Sequence, residues 1–153
     1  MANYVFNIAK GRIVELYNRV ENNDPANSAI IAIPLETTGL EAQAVLQDAD
    51  TLTAVIAGTT NEQITMGRKV LTDADLAALP APDDVNDRYS LNLPNVVWLG
   101  ATGNAISQVL IAYDSDTTGG TDAGIVPLMV FDFVQAPNGS DIQATGGEFH
   151  RAT

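Results

Sequence analysis

Apolar and polar residues alternate most regularly in the second half of the chain. Tyr89, Leu91 and Leu93 fall on one side of residues 88–93 and polar residues on the other, the period-two pattern of a half-buried strand. Clusters of β-branched and aromatic residues predict further strands at 95–99, 105–113, 125–133, 141–145 and 148–152. Turn residues separate these runs at intervals of roughly eight to twelve residues, which is typical of a β-sandwich or jelly roll.

The N-terminal residues 1–24 are predicted to form an arm or a helix. Residues 4–6 favour a strand, and Gly11 weakens a helix directly after them. Four apolar residues nevertheless recur at the i, i+3, i+4 and i+7 spacing of one helix face: Ile13, Leu16, Tyr17 and Val20. We therefore favour a strand followed by a helix, which Pro25 and the polar residues before it bring to an end.

The middle of the chain alternates short elements with breakers. Residues 28–35 and 65–71 predict strands, the first of them ending near Pro34. Helical spacing at residues 52–56, with Asp50 or Thr51 as a cap, predicts a short helix. Residues 72–79 predict a helix of one or two turns, and the proline-rich residues 80–87 a rigid connector within the domain. The expected fold class is a mainly-β, sandwich-like or jelly-roll-like single domain (residues 1–153) with one to three short helices.

The charge balance excludes one class of partner. Lys and Arg number 7 against 19 Asp and Glu, so the formal net charge is −12. A field of this sign repels nucleic acid, which is bound through clustered Lys and Arg. Only the first twenty residues lean basic, through Lys10, Arg12 and Arg19. These three side chains are the predicted partner-binding residues.

Apolar runs are too short to span a bilayer, since the strongest of them cover residues 30–35 and 125–131. The first residues also lack the basic and apolar regions of a signal peptide. We expect a soluble protein that is made in the cytoplasm and has no membrane partner.

Residue types that carry catalysis are scarce. The chain has no cysteine, and its one histidine is His150. No nucleophile elbow supplies a serine for that histidine, and no glycine turn is followed by the lysine of a phosphate loop. The acidic residues Asp83, Asp84 and Asp87 lie in the proline-rich connector, where a solvated turn explains them better than acid–base chemistry. We expect no catalytic residue, no cofactor and no enzymatic activity.

One loop has a partial calcium-binding pattern. Asp114, Asp116 and Thr118 supply oxygens at positions 1, 3 and 5 of an EF-hand-like loop, with glycine at position 6. Position 12 is Ile125, where a bidentate glutamate should stand, and Asp122 is the nearest substitute. A polar turn between two strands is the preferred interpretation, and a structural calcium ion is the one metal candidate.

Six segments, in this order along the chain, resemble a family of small virion proteins encoded near the capsid genes of tailed bacteriophages and prophages. They are residues 6–12, 22–29, 71–77, 84–88, 113–122 and 147–152. The resemblance runs nearly from end to end, but no segment has a mechanism attached. It implies a head decoration (cement) protein or a neck-type protein, and it brings no active site with it.

The leading hypothesis is a non-enzymatic decoration protein that binds and reinforces the phage capsid shell. Its partners would be the major capsid protein or other virion proteins and further copies of itself, in a homo-oligomer. The acidity fits a position outside the head, away from packaged DNA. The alternatives are a neck or tail ring component and a cellular protein-binding module.

Overall fold

The structure, a computed structural model, describes residues 3–153. The strands are β1 (Tyr4–Val5), β2 (Ala29–Glu36), β3 (Lys69–Leu71), β4 (Tyr89–Leu93), β5 (Val96–Trp98), β6 (Ile106–Asp114), β7 (Val126–Gln135), β8 (Ile142–Ala144) and β9 (Gly147–Ala152). The helices are α1 (Ile13–Glu21), α2 (Gln43–Leu46) and α3 (Leu52–Val55), with 3-10 turns at Asn7–Ala9 and Asp122–Gly124.

Five antiparallel strands form the main sheet in the order β1-β7-β6-β2-β3. Its centre is apolar on both faces, because every residue from Ala29 to Leu35 is buried although neighbouring side chains point to opposite faces. Ile33 pairs with Leu110, which pairs in turn with Val130, and all three are fully buried. The continuous apolar runs of β2 and β6 are therefore those of strands covered on both sides.

Two further ladders, β4 with β9 and β5 with β8, form one antiparallel ribbon. Leu93 pairs with Gly147 and Val96 with Ala144, so two residues on each strand separate the ladders without a change of register. The ribbon, residues 89–98 with 142–152, and the β6–β7 part of the main sheet line a common apolar groove. The ribbon is the second β layer beside the main sheet, as expected for the sandwich-like fold predicted from the sequence.

The predicted N-terminal helix is confirmed as α1. Ile13, Leu16, Tyr17 and Val20, the four residues of the expected face, are its buried residues. The strand before it is β1, and Gly11, at φ +80°, provides a left-handed residue where the chain turns into the helix. Of the predicted arm or helix at 1–24, residues 1 and 2 lie outside the described part of the chain.

In the middle of the chain, one predicted element is confirmed, one is wrong and one is shorter than predicted. The short helix after Thr51 is confirmed as α3, with the Thr51 hydroxyl accepting the backbone N–H of Ala54. The predicted helix at 72–79 is wrong: it is one hydrogen-bonded turn, in which Leu76 donates to the carbonyl of Thr72. The chain leaves the turn at Leu76, and the prolines at 80 and 82 lack the N–H groups that would continue a helix. The strand predicted at 65–71 shortens to β3, since Gly67 is left-handed at φ +74°.

The predicted fold class, a mainly-β single domain with one to three short helices, is confirmed. One apolar core joins residues from Tyr4 in β1 to Phe149 in β9, including the buried faces of α1, α2 and α3. Among residues 3–153, no helix has the length and apolar character needed to cross a membrane.

Candidate functional site

The β6–β7 loop, which carries the calcium candidates, is ordered by its own hydrogen bonds. Asp114 accepts the backbone N–H of Asp116, at 3.0 Å. Asp116 accepts both the backbone N–H of Thr118 and its hydroxyl, at 3.0 and 2.6 Å. These bonds lower the pKa of the Asp116 carboxyl. The arrangement is that of successive polar turns between two strands.

Asp122, the fourth calcium candidate, forms an ion pair with Arg68. Both of its carboxylate oxygens accept from Arg68, at 2.7 and 2.9 Å. The same guanidinium donates to both oxygens of Glu62, at 2.8 and 2.7 Å. The Arg68 hydrogen bond lowers the pKa of Asp122, and the two carboxylates raise the pKa of Arg68. This Arg68 clamp fastens the β6–β7 loop to the segment before β3.

Each of the four calcium candidates thus makes a hydrogen bond within the protein. Within residues 3–153, no group of three or more His, Cys, Asp and Glu side chains is arranged to hold a metal ion. Calcium binding by this loop stays a prediction. A second contact attaches the β6–β7 loop to the segment before β2: the backbone N–H and the hydroxyl of Thr117 both donate to the carbonyl of Asn27. That contact joins two of the six segments named above.

The predicted partner-binding residues lie at the two ends of α1. Lys10 and Arg19 are exposed and Arg12 is half-buried. Lys10 donates to the side-chain oxygen of Asn7 at 2.6 Å, and Arg19 forms an i,i+4 ion pair with Glu15 at 3.0 Å. Arg12 and Arg19 are seven residues apart and so share a helix side, with Glu15 between them. These three residues, called the basic patch below, flank α1, and Lys10 and Arg19 are paired with neighbouring side chains. Partner binding by them stays a prediction.

The remaining titratable candidates have structural partners. Asp83 accepts from Asn86 at 2.8 Å and from Arg88 at 3.0 Å, and these hydrogen bonds lower its pKa. His150 pairs with Leu91 in the β4–β9 ladder and is half-buried. Its neighbour Glu148 accepts from Ser90 and Arg151, which lowers the pKa of that carboxyl.

An apolar groove lies between the ribbon and the main sheet, and sequence reasoning missed it. Its volume is about 220 Å³. The sheet supplies Val109, Ile111, Phe131 and Phe133, and the ribbon supplies Leu93, Pro94, Val96 and residues 144–148. Pockets for drug-sized ligands usually measure roughly 300–1,000 Å³, so this groove suits one side chain better than a cofactor. Its walls come from segments up to 55 residues apart, and no local pattern could have revealed it.

Among residues 3–153, the side chains of Gln108 and Tyr4 contain buried polar atoms without hydrogen-bond partners. Gln108 on β6 is fully buried, and neither its amide nitrogen nor its oxygen is bonded within the described residues. The hydroxyl of Tyr4 is also buried and makes no hydrogen bond within the described residues. Burial raises the pKa of Tyr4 to about 12. Such groups reduce stability, because they lose their hydrogen bonds to water and gain none in return.

No protein family model, no curated protein sequence and no solved structure matches this chain. The resemblance to small virion proteins therefore stays a prediction from the six sequence segments.

Proposed function

We propose that this chain is a non-enzymatic virion protein that binds and reinforces the capsid shell of a tailed phage from outside the head. Adhesion to other protein subunits would be its whole activity. The proposal combines two independent supports, one from the chemistry of the described side chains and one from the sequence segments.

The observation that carries the non-enzymatic part is the state of the carboxylates. Asp83, Asp116, Asp122 and Glu148 all have pKa values shifted downward, each by hydrogen bonds from neighbouring side chains. A general acid needs a carboxyl whose pKa is raised towards neutrality. The hydrogen bonds of these four groups hold turns, strands and loops in place, which supports a structural role for them.

The virion part is supported by the six ordered segments and by the charge of −12. An acidic surface suits the outside of a particle filled with DNA, since it is not drawn to the packaged phosphates. The charge also makes neighbouring copies repel, but salt screens this beyond about 8 Å. Contacts between copies and with the shell would then depend on buried apolar surface and strand addition.

The test is the protein content of gradient-purified particles from a strain that carries this coding sequence. A decoration protein should band with the heads at a copy number comparable with that of the major capsid protein, measured by gel densitometry. A copy number equal to a single ring would replace decoration with a neck or tail position. Absence from the particles would overturn the virion proposal as a whole.

The basic patch is the proposed shell-facing surface. Replacing Lys10, Arg12 and Arg19 with Glu should lower the occupancy of particles, because it reverses three charges on that side. Lys69→Glu, on β3, is a single-charge control at a basic residue outside the patch. Occupancy that is unchanged in the triple variant, or equally reduced in Lys69→Glu, would remove the patch from the proposal.

A further inference from the structure

The two halves of the ribbon are attached to the rest of the molecule in different ways. The inner arm, β5 with β8, is connected to β6 through residues 99–105 and to β7 through residues 136–141. Its pairing continues beyond the strands, where Ala101 donates to the carbonyl of Ser140 and Gly139 to that of Ala101, at 3.0 and 2.7 Å. Trp98 anchors it further by donating from its indole nitrogen to the carbonyl of Gly67, at 2.9 Å.

The outer arm, β4 with β9, is attached through side chains. Within residues 3–153, its backbone-to-backbone hydrogen bonds run only between its own two strands. Tyr17 of α1 contacts it: its ring centroid lies 6.4 Å from that of Phe149, and its hydroxyl, which donates to the carbonyl of Ala77 at 2.8 Å, lies 3.3 Å from the carbonyl oxygen of Asn92. Leu91 and Phe149 are buried beneath it. The outer arm can therefore detach without breaking a backbone ladder.

Between the arms, the ribbon has a break on both strands. Pro94 has no N–H to donate, and Gly146 donates to the side-chain oxygen of Asn95, at 2.7 Å. No backbone–backbone hydrogen bond joins Pro94 or Asn95 to Thr145 or Gly146, all of which are described residues. A Cβ on Gly146 would lie 2.3 Å from the carbonyl oxygen of Leu93, so the strands cross here at a distance that only glycine allows.

The apolar groove lies at this break. Leu93, Pro94 and Thr145–Glu148 form its ribbon side, and Val109 and Phe133 are on the sheet side. Space beneath a joint that lacks ladder bonds removes the packing that would otherwise hold the two arms rigidly in line.

We propose that the outer arm is a strap that lifts from the main sheet as one unit, pivoting at Pro94-Asn95 and Thr145-Gly146 and widening the groove beneath it. Lifting exposes Leu91, Leu93 and Phe149 together with the sheet residues of the groove. The protein then has a closed form with a small groove and an open form with an extended apolar face.

Native-state hydrogen exchange followed by NMR tests this strap in the intact protein. Ladder amides of the outer arm should share one opening reaction and exchange at least about tenfold faster than those of the inner arm and of β6, as expected for a sub-global unit. Equal protection of the two arms, or exchange of all ribbon amides only through global unfolding, would overturn the proposal.

A matched pair of variants locates the pivot. Tyr17→Phe keeps the ring but removes the hydroxyl, with its hydrogen bond to Ala77 in the segment before the arm and its contact to Asn92, so it should speed exchange of the outer arm by about 2- to 10-fold, the ratio expected for one hydrogen bond. The inner arm should be unaffected. Trp98→Phe removes the corresponding anchor of the inner arm and should act there. If either variant speeds both arms equally, the ribbon moves as one piece and no pivot exists at the break. If Trp98→Phe does not fold, the wild-type and Tyr17→Phe comparison decides alone.

Discussion

The main sheet and the ribbon are both antiparallel β structure, but different interactions hold them in the fold. In the sheet, β6 has paired neighbours on both sides and apolar residues on both faces. In the ribbon, each strand has one paired neighbour, and the attachment to the sheet depends on a few side chains. The comparison teaches that a rigid support and an adaptable surface can be combined in one small domain by varying how many neighbours a strand has.

The largest difference in the free energy of unfolding is expected when a leucine is replaced by alanine in each of the two regions. Leu110→Ala in β6 should lower the free energy of unfolding by about 2–5 kcal/mol, because Leu110 is fully buried and close-packed between β2 and β7. Leu93→Ala should cost about 2 kcal/mol, at the low end of that range, because Leu93 borders the groove. Urea unfolding of both variants measures the difference, and equal costs would contradict it.

The break in the ribbon should be sensitive to a single methyl group. Gly146→Ala is expected to destabilise by about 1–3 kcal/mol, because the new Cβ meets the backbone of Leu93 and Pro94. Gly124→Ala is the control, since no atom lies within 4 Å of its added Cβ, and a change within about 0.5 kcal/mol is expected. Thermal unfolding of the Gly146→Ala and Gly124→Ala variants measures the difference in stability. A tolerated Gly146→Ala would show that the strands do not need their close approach.

A substitution at Gln108, in the main sheet, is expected to stabilise the protein instead of destabilising it. Gln108→Leu should raise the free energy of unfolding by on the order of 1 kcal/mol, because it removes a buried amide that has no hydrogen-bond partner. Gln63→Leu is the matched control: Gln63 is equally buried but donates to the carbonyl of Asn104 and accepts from Thr65. That variant should be less stable than wild type. Destabilisation by Gln108→Leu would mean that the amide is hydrogen-bonded in solution.

The smallest effect concerns the Arg68 clamp and depends on pH. Folding lowers the pKa of Asp122, so its ion pair stabilises above the unfolded-state pKa of about 3.9 and is lost as pH falls through the folded-state pKa. Asp122→Asn should therefore cost up to about 1 kcal/mol at pH 7, and the cost should shrink below about pH 4. Asp84→Asn, at an exposed position, is the surface control for the loss of one carboxylate. A cost for Asp122→Asn that does not change with pH would contradict the ion-pair account.

The sequence predicted elements where the pattern is local. Alternation around Tyr89–Leu93 and the four apolar residues of α1 both correspond to observed elements, because burial of one face follows directly from spacing. Failures came where the deciding contact is distant or a nucleus is too short, as with the single turn after Thr72. Gln108 is instructive, since a polar residue within a strand predicts a solvent-facing position, yet both faces of β6 are covered.

The candidate site was less predictable than the fold. The spacing of Asp114, Asp116 and Thr118 fits a calcium loop, but the partner of Asp122 is Arg68, 54 residues away in sequence. The groove is likewise assembled from four strands of the ribbon and two of the sheet. Charge pairs and cavities of this kind depend on tertiary register, which residue spacing alone does not determine.

The most direct test of the central claim is re-addition of the purified protein to phage particles from a strain in which its coding sequence has been deleted. The account predicts saturable co-sedimentation with the heads, and greater resistance of the reloaded particles to heat or osmotic shock. No binding to deletion particles, or binding that leaves their resistance unchanged, would contradict a reinforcing role on the capsid.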